Sequence, residues 1–159
     1  MDVTMLQRID LRRVSETHEA LNFSLDATFF QSLDQTEILG GDVSLTVTVR
    51  QTAGGIYQVQ LYAQGVVMTQ CHRCLDPVSL PIEVDETLRA VHDDEDFAGE
   101  ADILLTDRLS DNADLRWAAY EVIETSLPIM RYHVDGECNP DMLARISGVV
   151  DTTAQKEIN

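Results

Sequence analysis

Apolar and polar residues alternate from Asp42 to Gln51, where Val43, Leu45, Val47 and Val49 interleave with Ser44, Thr46, Thr48 and Arg50. A period of two puts one residue type on each face, so the segment is predicted to be a half-buried strand. Gly54-Gly55 supplies a turn, and Ile56 to Thr69 continues with Ile56, Tyr57, Val59, Leu61, Tyr62, Val66 and Val67, which together predict a long hairpin. Gly65 inside its second strand predicts a bulge. Val78 to Val91 is a further extended segment in which Pro81 favours an edge or a strand start. Upstream, Ala20 to Phe30 alternates at Leu21, Phe23, Leu25, Ala27 and Phe29 and is predicted as another strand.

The pattern changes after an acidic stretch at 92–102. Residues 103–105 fit a short strand or a helical turn. Beyond them Asp111 to Asp114 offer capping groups, and Leu115, Ala118, Ala119, Val122 and Ser126 recur at three- and four-residue steps before Pro128. That spacing predicts an amphipathic helix over 115–127. A second, short helix is predicted from Asn139 as N-cap and Pro140 as first helical residue, ending before Gly148. The expected fold is α+β: an antiparallel β-rich core of about four to six strands with a long hairpin, one amphipathic helix and a short C-terminal helix. One domain is expected over 1–148, with a β-rich part at 20–91, an acidic loop at 92–111 and a helix and cysteine segment at 112–148. The tail 149–159 is expected to fray.

Charge changes this picture more than composition does. Hydrophobic residues make up 44% of the 159, close to the usual share of about 45–50%, so a core can form and the chain does not read as disordered. Yet 28 Asp and Glu against 11 Lys and Arg leave a net charge of -17. Residues 1–80 carry -4 and residues 81–159 carry -13. Such a field repels a phosphate backbone at long range and favours basic partners. Asp93, Asp94, Glu95 and Asp96 form the densest run, a solvated connector or a contact for a basic partner. No stretch approaches the ~18 uninterrupted apolar residues of a membrane span, and the N-terminus lacks the order of a secretory leader. The expected compartment is the cytoplasm.

Three cysteines, an odd number, argue against a disulfide framework. Cys71-His72-Arg73-Cys74, between two predicted strands, has the spacing that lets two sulfurs reach one metal ion. Cys138 and His133 are the candidates to complete it, giving three thiolates and one imidazole. A reduced, metal-free cluster and a redox pair are the other readings of the same residues. His72, Arg73, Arg131 and Tyr132 would form a small basic and aromatic island suited to RNA if the two segments converge, or else the arginines pair with carboxylates. There is no Gly-rich phosphate loop, no Gly-x-Ser-x-Gly and no His-Glu-x-x-His, so no enzyme and no small-molecule substrate are expected.

These residues also occur in a telling order. Cys71 to Val78, then an acidic insert, Tyr120-Glu121, Ser126-Leu127-Pro128-Ile129 and Cys138, resemble the YceD family, the large ribosomal RNA subunit accumulation proteins, over roughly Val43 to Cys138. The resemblance implies a small cytoplasmic, non-enzymatic factor needed for normal 23S rRNA accumulation and large-subunit assembly. Its implied partners are a large-subunit precursor, 23S rRNA or a basic ribosomal protein. Many members carry a fourth cysteine near the C-terminus; this chain has only Cys138 there, which leaves His133 as fourth zinc ligand, or no metal. A zinc-binding or redox-responsive interaction module unrelated to rRNA is the alternative.

Overall fold

The alternating segments form one twisted sheet. The computed structural model describes residues 3–53, 56–92, 103–106, 111–134 and 136–145, with backbone alone for His92 and 103–105. A 3-10 turn at Val3–Gln7 leads into β1 (Ile9–Asp10) and α1 (Leu11–Thr17), followed by β2 (Leu21–Leu25) and α2 (Ala27–Ser32). The long strands β3 (Gly40–Gln51), β4 (Tyr57–Gln70) and β5 (Pro77–His92) come next, then β6 (Ile103–Thr106), β7 (Asn112–Ala113), α3 (Arg116–Ser126) and a short helix α4 at 140–145. Spatial order is β2-β3-β4-β5-β6, antiparallel except for the parallel β5–β6 pair, while β1 and β7 form a separate two-stranded ladder. The α+β arrangement read from the sequence is therefore the one found.

One face of the sheet makes the core. Leu21, Phe23 and Leu25 of β2, Val43 to Val49 of β3 at alternate positions, and Val59, Leu61, Ala63 and Val67 of β4 are all buried there. Phe29 and Phe30 of α2, Leu11 and Val14 of α1, and Ala119, Val122 and Ile123 of α3 complete the same cluster. The opposite face carries a polar ladder: Thr46 to Asn22, Thr48 to Gln60, Gln60 to Asp85, Arg50 to Gln58 and Tyr62 to Glu83. Clean alternation is what a sheet with one wet face requires.

Four expectations are corrected. Ala20 to Phe30 is not one strand, because Asp26 accepts a hydrogen bond from the Phe29 N–H at 3.1 Å and caps α2. A strand would send Phe29 and Phe30 to opposite faces; the helix lets both enter the core, each full burial being worth about 1.5–3 kcal/mol. Gly65 makes no bulge: β3 and β4 pair residue for residue from Gly40↔Met68 to Gln51↔Tyr57. Glycine is needed for another reason, since φ is +154° and a Cβ would lie 2.2 Å from the Asp42 carbonyl oxygen. Finally, of the expected capping run Asp111 to Asp114 it is Asp114 that reaches α3: its side chain accepts from the Arg116 N–H at 3.0 Å, while the N-cap position itself is Leu115, which offers no side-chain cap. Asn112-Ala113 pairs with β1 instead, and the buried Asp111 accepts from Arg12 at 3.1 Å. On α3 the inward face is Ala119, Tyr120, Val122 and Ile123, with Ser126 exposed. The Gly54-Gly55 turn, Gly148 and the tail 149–159 lie outside the described residues.

Candidate metal centre

The ladder between β4 and β5 ends at Gln70↔Pro77, and the six residues between them form the knuckle. The Cys71 N–H donates to the Asp76 carbonyl at 2.8 Å, the Leu75 N–H donates to the Cys71 carbonyl at 3.0 Å, and the Arg73 N–H points at Cys71 Sγ at 3.4 Å. Closing so tight a loop sends Leu75 into the left-handed region at φ 68°. Cys71 and Cys74 are both fully buried.

Two bonds bring the C-terminal segment to the knuckle. The His72 N–H donates to the Arg131 carbonyl at 2.7 Å, and the Arg131 N–H donates to His72 Nδ1 at 3.2 Å. Farther along, Asn139 caps α4 through the N–H groups of Asp141 and Met142, and its side-chain amide donates to Asp76 at 2.7 Å. The predicted N-cap thus also ties the Cys138 region to the knuckle. Val78, Leu80, Met142 and Leu143 pack round the sulfurs.

The result is a four-donor cluster. Ligand atoms of Cys71, Cys74, His133 and Cys138 all lie within 4.8 Å of one another, close enough to hold a metal ion. Cys71 Sγ is 3.8 Å from Cys138 Sγ, and Cys74 Sγ is 3.3 Å from His133 Nδ1. Two sulfurs each about 2.3 Å from one tetrahedral ion sit about 3.8 Å apart, so the donor spacing fits such an ion with little movement. His133 Nε2 is 2.9 Å from the Pro77 carbonyl, which can only accept; Nε2 therefore carries a proton, and in its neutral form the ring presents bare Nδ1 to the sulfurs. A ring held by a carbonyl at its second nitrogen is the usual support of a ligating histidine.

The thiols are unequal. Burial pushes Cys71 up, but N–H groups of Cys74, Arg73 and His133, with the His133 side chain, outweigh it and hold the thiol down to about 5. Burial pushes Cys138 up, and hydrogen bonding with Cys71 and Cys74 adds to this, raising it to about 11. His133 lies above its ordinary value: burial works against this, but hydrogen bonds with Cys71 and the Pro77 carbonyl prevail.

Around the cluster, the Arg73 guanidinium lies 4.8 Å over the Tyr132 ring, and His72 meets that ring edge-on at 6.1 Å. His72, Arg73 and Tyr132 are exposed. Arg131, expected in the same island, turns inward: its side chain is 9% exposed and binds Glu37 at 3.0 Å, Glu124 at 3.4 Å and the Pro128 carbonyl at 3.1 Å. Two carboxylates from separate segments claim it, so it positions the chain. Asp93, Asp94, Glu95 and Asp96 lie outside the described residues. Missed by the sequence reading is an apolar rim of exposed Leu75, Ile129, Met130 and Val134. The only signal was that Ile129, Met130 and Val134 follow Pro128 without helical or strand periodicity.

A small α+β domain with a buried Cys-x-x-Cys knuckle completed by a distant histidine and cysteine is the class that fold and site define. The chain belongs to the YceD family: the family model described as large ribosomal RNA subunit accumulation protein YceD matches residues 59–158, more than half of the chain. No curated protein and no solved structure matches it. None of the described helices is long and apolar enough to cross a membrane.

Proposed function

We propose that the protein is a non-enzymatic cytoplasmic factor for large-subunit assembly, needed for normal 23S rRNA accumulation, in which zinc held by Cys71, Cys74, His133 and Cys138 fixes an RNA-contacting surface. Zinc supplies no reaction here; it cross-links the β4–β5 loop to the C-terminal segment, as structural sites do. The observation that carries the reading is the exposed Tyr132 ring with Arg73 above it and His72 beside it, on the lip of a four-donor cluster. An aromatic ring next to a guanidinium is a platform on which an unpaired base stacks. The net charge of -17 makes this a local contact rather than a long-range electrostatic one. The acidic run Asp93, Asp94, Glu95 and Asp96 serves a basic ribosomal protein in the same precursor.

The test is sedimentation of a lysate with the tagged protein. The wild type should travel with large-subunit precursors, Arg73→Glu and Tyr132→Ala should shift it to the ribosome-free fraction, and deletion of 93–96 should weaken association in a salt-sensitive way. Wild-type protein found only in the ribosome-free fraction during active assembly would defeat the reading. A second reading, a redox-responsive interaction module, draws on the 3.8 Å approach of Cys71 and Cys138. It predicts a Cys71–Cys138 disulfide by mass spectrometry under mild peroxide, with binding altered accordingly.

A further inference from the structure

β5 is long, but only its last residues have a partner on the outer side: Arg89 to His92 pair with β6, and among the described residues no strand pairs with β5 before Arg89 on that side. The direction of its backbone groups follows from three observations. Pro81, with no N–H, sits opposite Val66 inside an unbroken β4 ladder, so its nitrogen faces away from β4. The Pro77 carbonyl is taken from outside by His133 at 2.9 Å, and the Val91 carbonyl accepts from Thr106 at 3.1 Å. Odd-numbered residues therefore aim their backbone outward. Ser79, Glu83, Asp85 and Thr87 each offer an N–H and a carbonyl there, and Pro81 offers a carbonyl.

The start of this edge opens into a cleft of about 400 Å³, lined by Pro77 to Pro81 on one side and by Tyr132, His133, Val134 and Glu137 on the other. The charged side chains from Ser79 to Thr87 are the exposed Glu83, Asp85 and Glu86, and Glu137 stands across the cleft; the exposed Arg89 follows where β6 begins, and Glu83 and Asp85 also accept from Tyr62 and Gln60. An edge so charged rejects a second copy of a chain with net charge -17, and rejects a phosphate backbone. It attracts a cationic strand.

We infer that the outer edge of β5 from Ser79 to Thr87 is a docking site for an extended lysine- or arginine-rich segment of a partner protein, which adds to the sheet as a strand. Main-chain bonds to Ser79, Pro81 and Glu83 supply the register, the acidic side chains select basic residues, and Val134 and Tyr132 receive an apolar side chain at the alternate position. The inference rests on the assembly-factor reading only for the source of the segment, an extended basic protein tail.

The test uses the purified full chain and a labelled heptapeptide of alternating lysine and valine, followed by fluorescence anisotropy. Binding should weaken about tenfold when the peptide is N-methylated on one alternate set of residues and little when it is methylated on the other, since only one set faces the edge. Ser79→Pro removes one outward N–H without touching charge and should also weaken binding about tenfold. Glu83→Lys with Asp85→Lys should abolish it at low salt, where the wild type binds most tightly, and this pair guards against a folding defect in the proline variant. Equal binding of both methylated peptides and of oligolysine, unaffected by Ser79→Pro, would reduce the effect to surface charge and overturn the proposal. Single-stranded oligouridine that displaces the peptide from the Ser79 to Thr87 edge would overturn it too, whereas oligouridine bound at Arg73 and Tyr132 while the peptide stays bound would not. Sedimentation with precursors is a separate readout, so a chain that binds the peptide but not the precursor keeps this inference and loses the assembly reading.

Discussion

His72 and Arg131 hold each other through two hydrogen bonds, one at 2.7 Å between main chains, from the His72 N–H to the Arg131 carbonyl, and one at 3.2 Å from the Arg131 N–H to the His72 ring at Nδ1. The exchange sets the path of residues 131–134, and so decides where the His133 ring falls. The Arg131 guanidinium then anchors that path to Glu37 and Glu124.

Replacing Arg131 with Met keeps the apolar stem and removes the charge. Both carboxylate partners retain some solvent contact, so the loss should sit below the 3–5 kcal/mol of a fully buried broken pair, at about 2 kcal/mol. Urea unfolding checks it. Metal retention should fall in parallel, because His133 loses its guide; an unchanged midpoint with unchanged metal content would show that the arginine is incidental.

Metal binding has a substitution signature. The purified wild type should carry one zinc per chain, and Cys71→Ser, Cys74→Ser and Cys138→Ser should each lose it. His133→Ala should bind more weakly, by a margin that His133→Cys restores, since a fourth thiolate also suits a tetrahedral site. Chelation should lower the melting temperature of the forms that hold zinc, the wild type and His133→Cys, and leave the three cysteine-to-serine variants unmoved. Elemental analysis that finds no metal in protein prepared under reducing conditions, with chelator leaving the melting curve unmoved, would remove zinc from the site.

Legibility in the sequence followed the range of the interactions. The β3–β4 hairpin was readable because Val43 to Val49 alternate on their own, and Cys71 and Cys74 because the knuckle is local. The convergence of His133 and Cys138 on it was only one of several options, since it depends on the His72–Arg131 exchange and the Asn139–Asp76 bond, across 59 and 63 positions of chain. At Phe29 and Phe30 a strand-like pattern lost to an aspartate cap. Arg131 was legible only as one of two options, island or carboxylate pair; the pairing is the one found, with Glu124 seven residues away and Glu37, which nothing nearby in sequence announces, 94 residues away. The N-terminal elements β1 and α1 escaped because their pairing partners lie at Asn112-Ala113 and β3.

Leu75 occupies a left-handed turn at φ 68° that glycine adopts without strain. Leu75→Gly should therefore be neutral or stabilising by up to about 1 kcal/mol, the relief of strain being offset in part by the freer unfolded chain. Leu75→Val should cost more than about 1 kcal/mol, because a β-branched side chain tolerates positive φ worst. Thermal unfolding of the metal-loaded pair orders the two; valine found equal to glycine would disprove a strained turn.

Gly65 tests the close approach of β3 and β4. A methyl group there would meet the Asp42 carbonyl at 2.2 Å and the Val43 Cα at 2.8 Å, both backbone atoms that cannot step aside without parting the strands. Gly65→Ala should cost at least about 2 kcal/mol, the range of a backbone clash combined with an unfavourable φ. Gly136→Ala is the useful control, having positive φ of 89° but open space around its Cβ, and should cost less. Equal losses would assign the whole effect to φ.

The metal-free protein should carry its thiol chemistry into its pH dependence. Cys71 titrates near 5 when folded against an ordinary value of 9.0, so its stabilisation is complete above about 9 and is lost as pH falls through about 5. Cys138 is shifted the other way, to about 11, so its contribution is complete below about 9 and is lost as pH rises towards 11. His133, raised above 6.5, adds stability below 6.5 that disappears as pH rises through its folded value. Subtracting the Cys71→Ser profile from that of the wild type, both chelated, should isolate a difference that grows from pH 5 towards 9, as the wild type gains what the serine cannot. The Cys138→Ser subtraction should be flat over that range and fall only above it. A Cys71 difference that is level from pH 5 to 9 would mean that the N–H groups around its sulfur do not hold a thiolate, and that the knuckle accepts a metal ion only by surrendering a thiol proton.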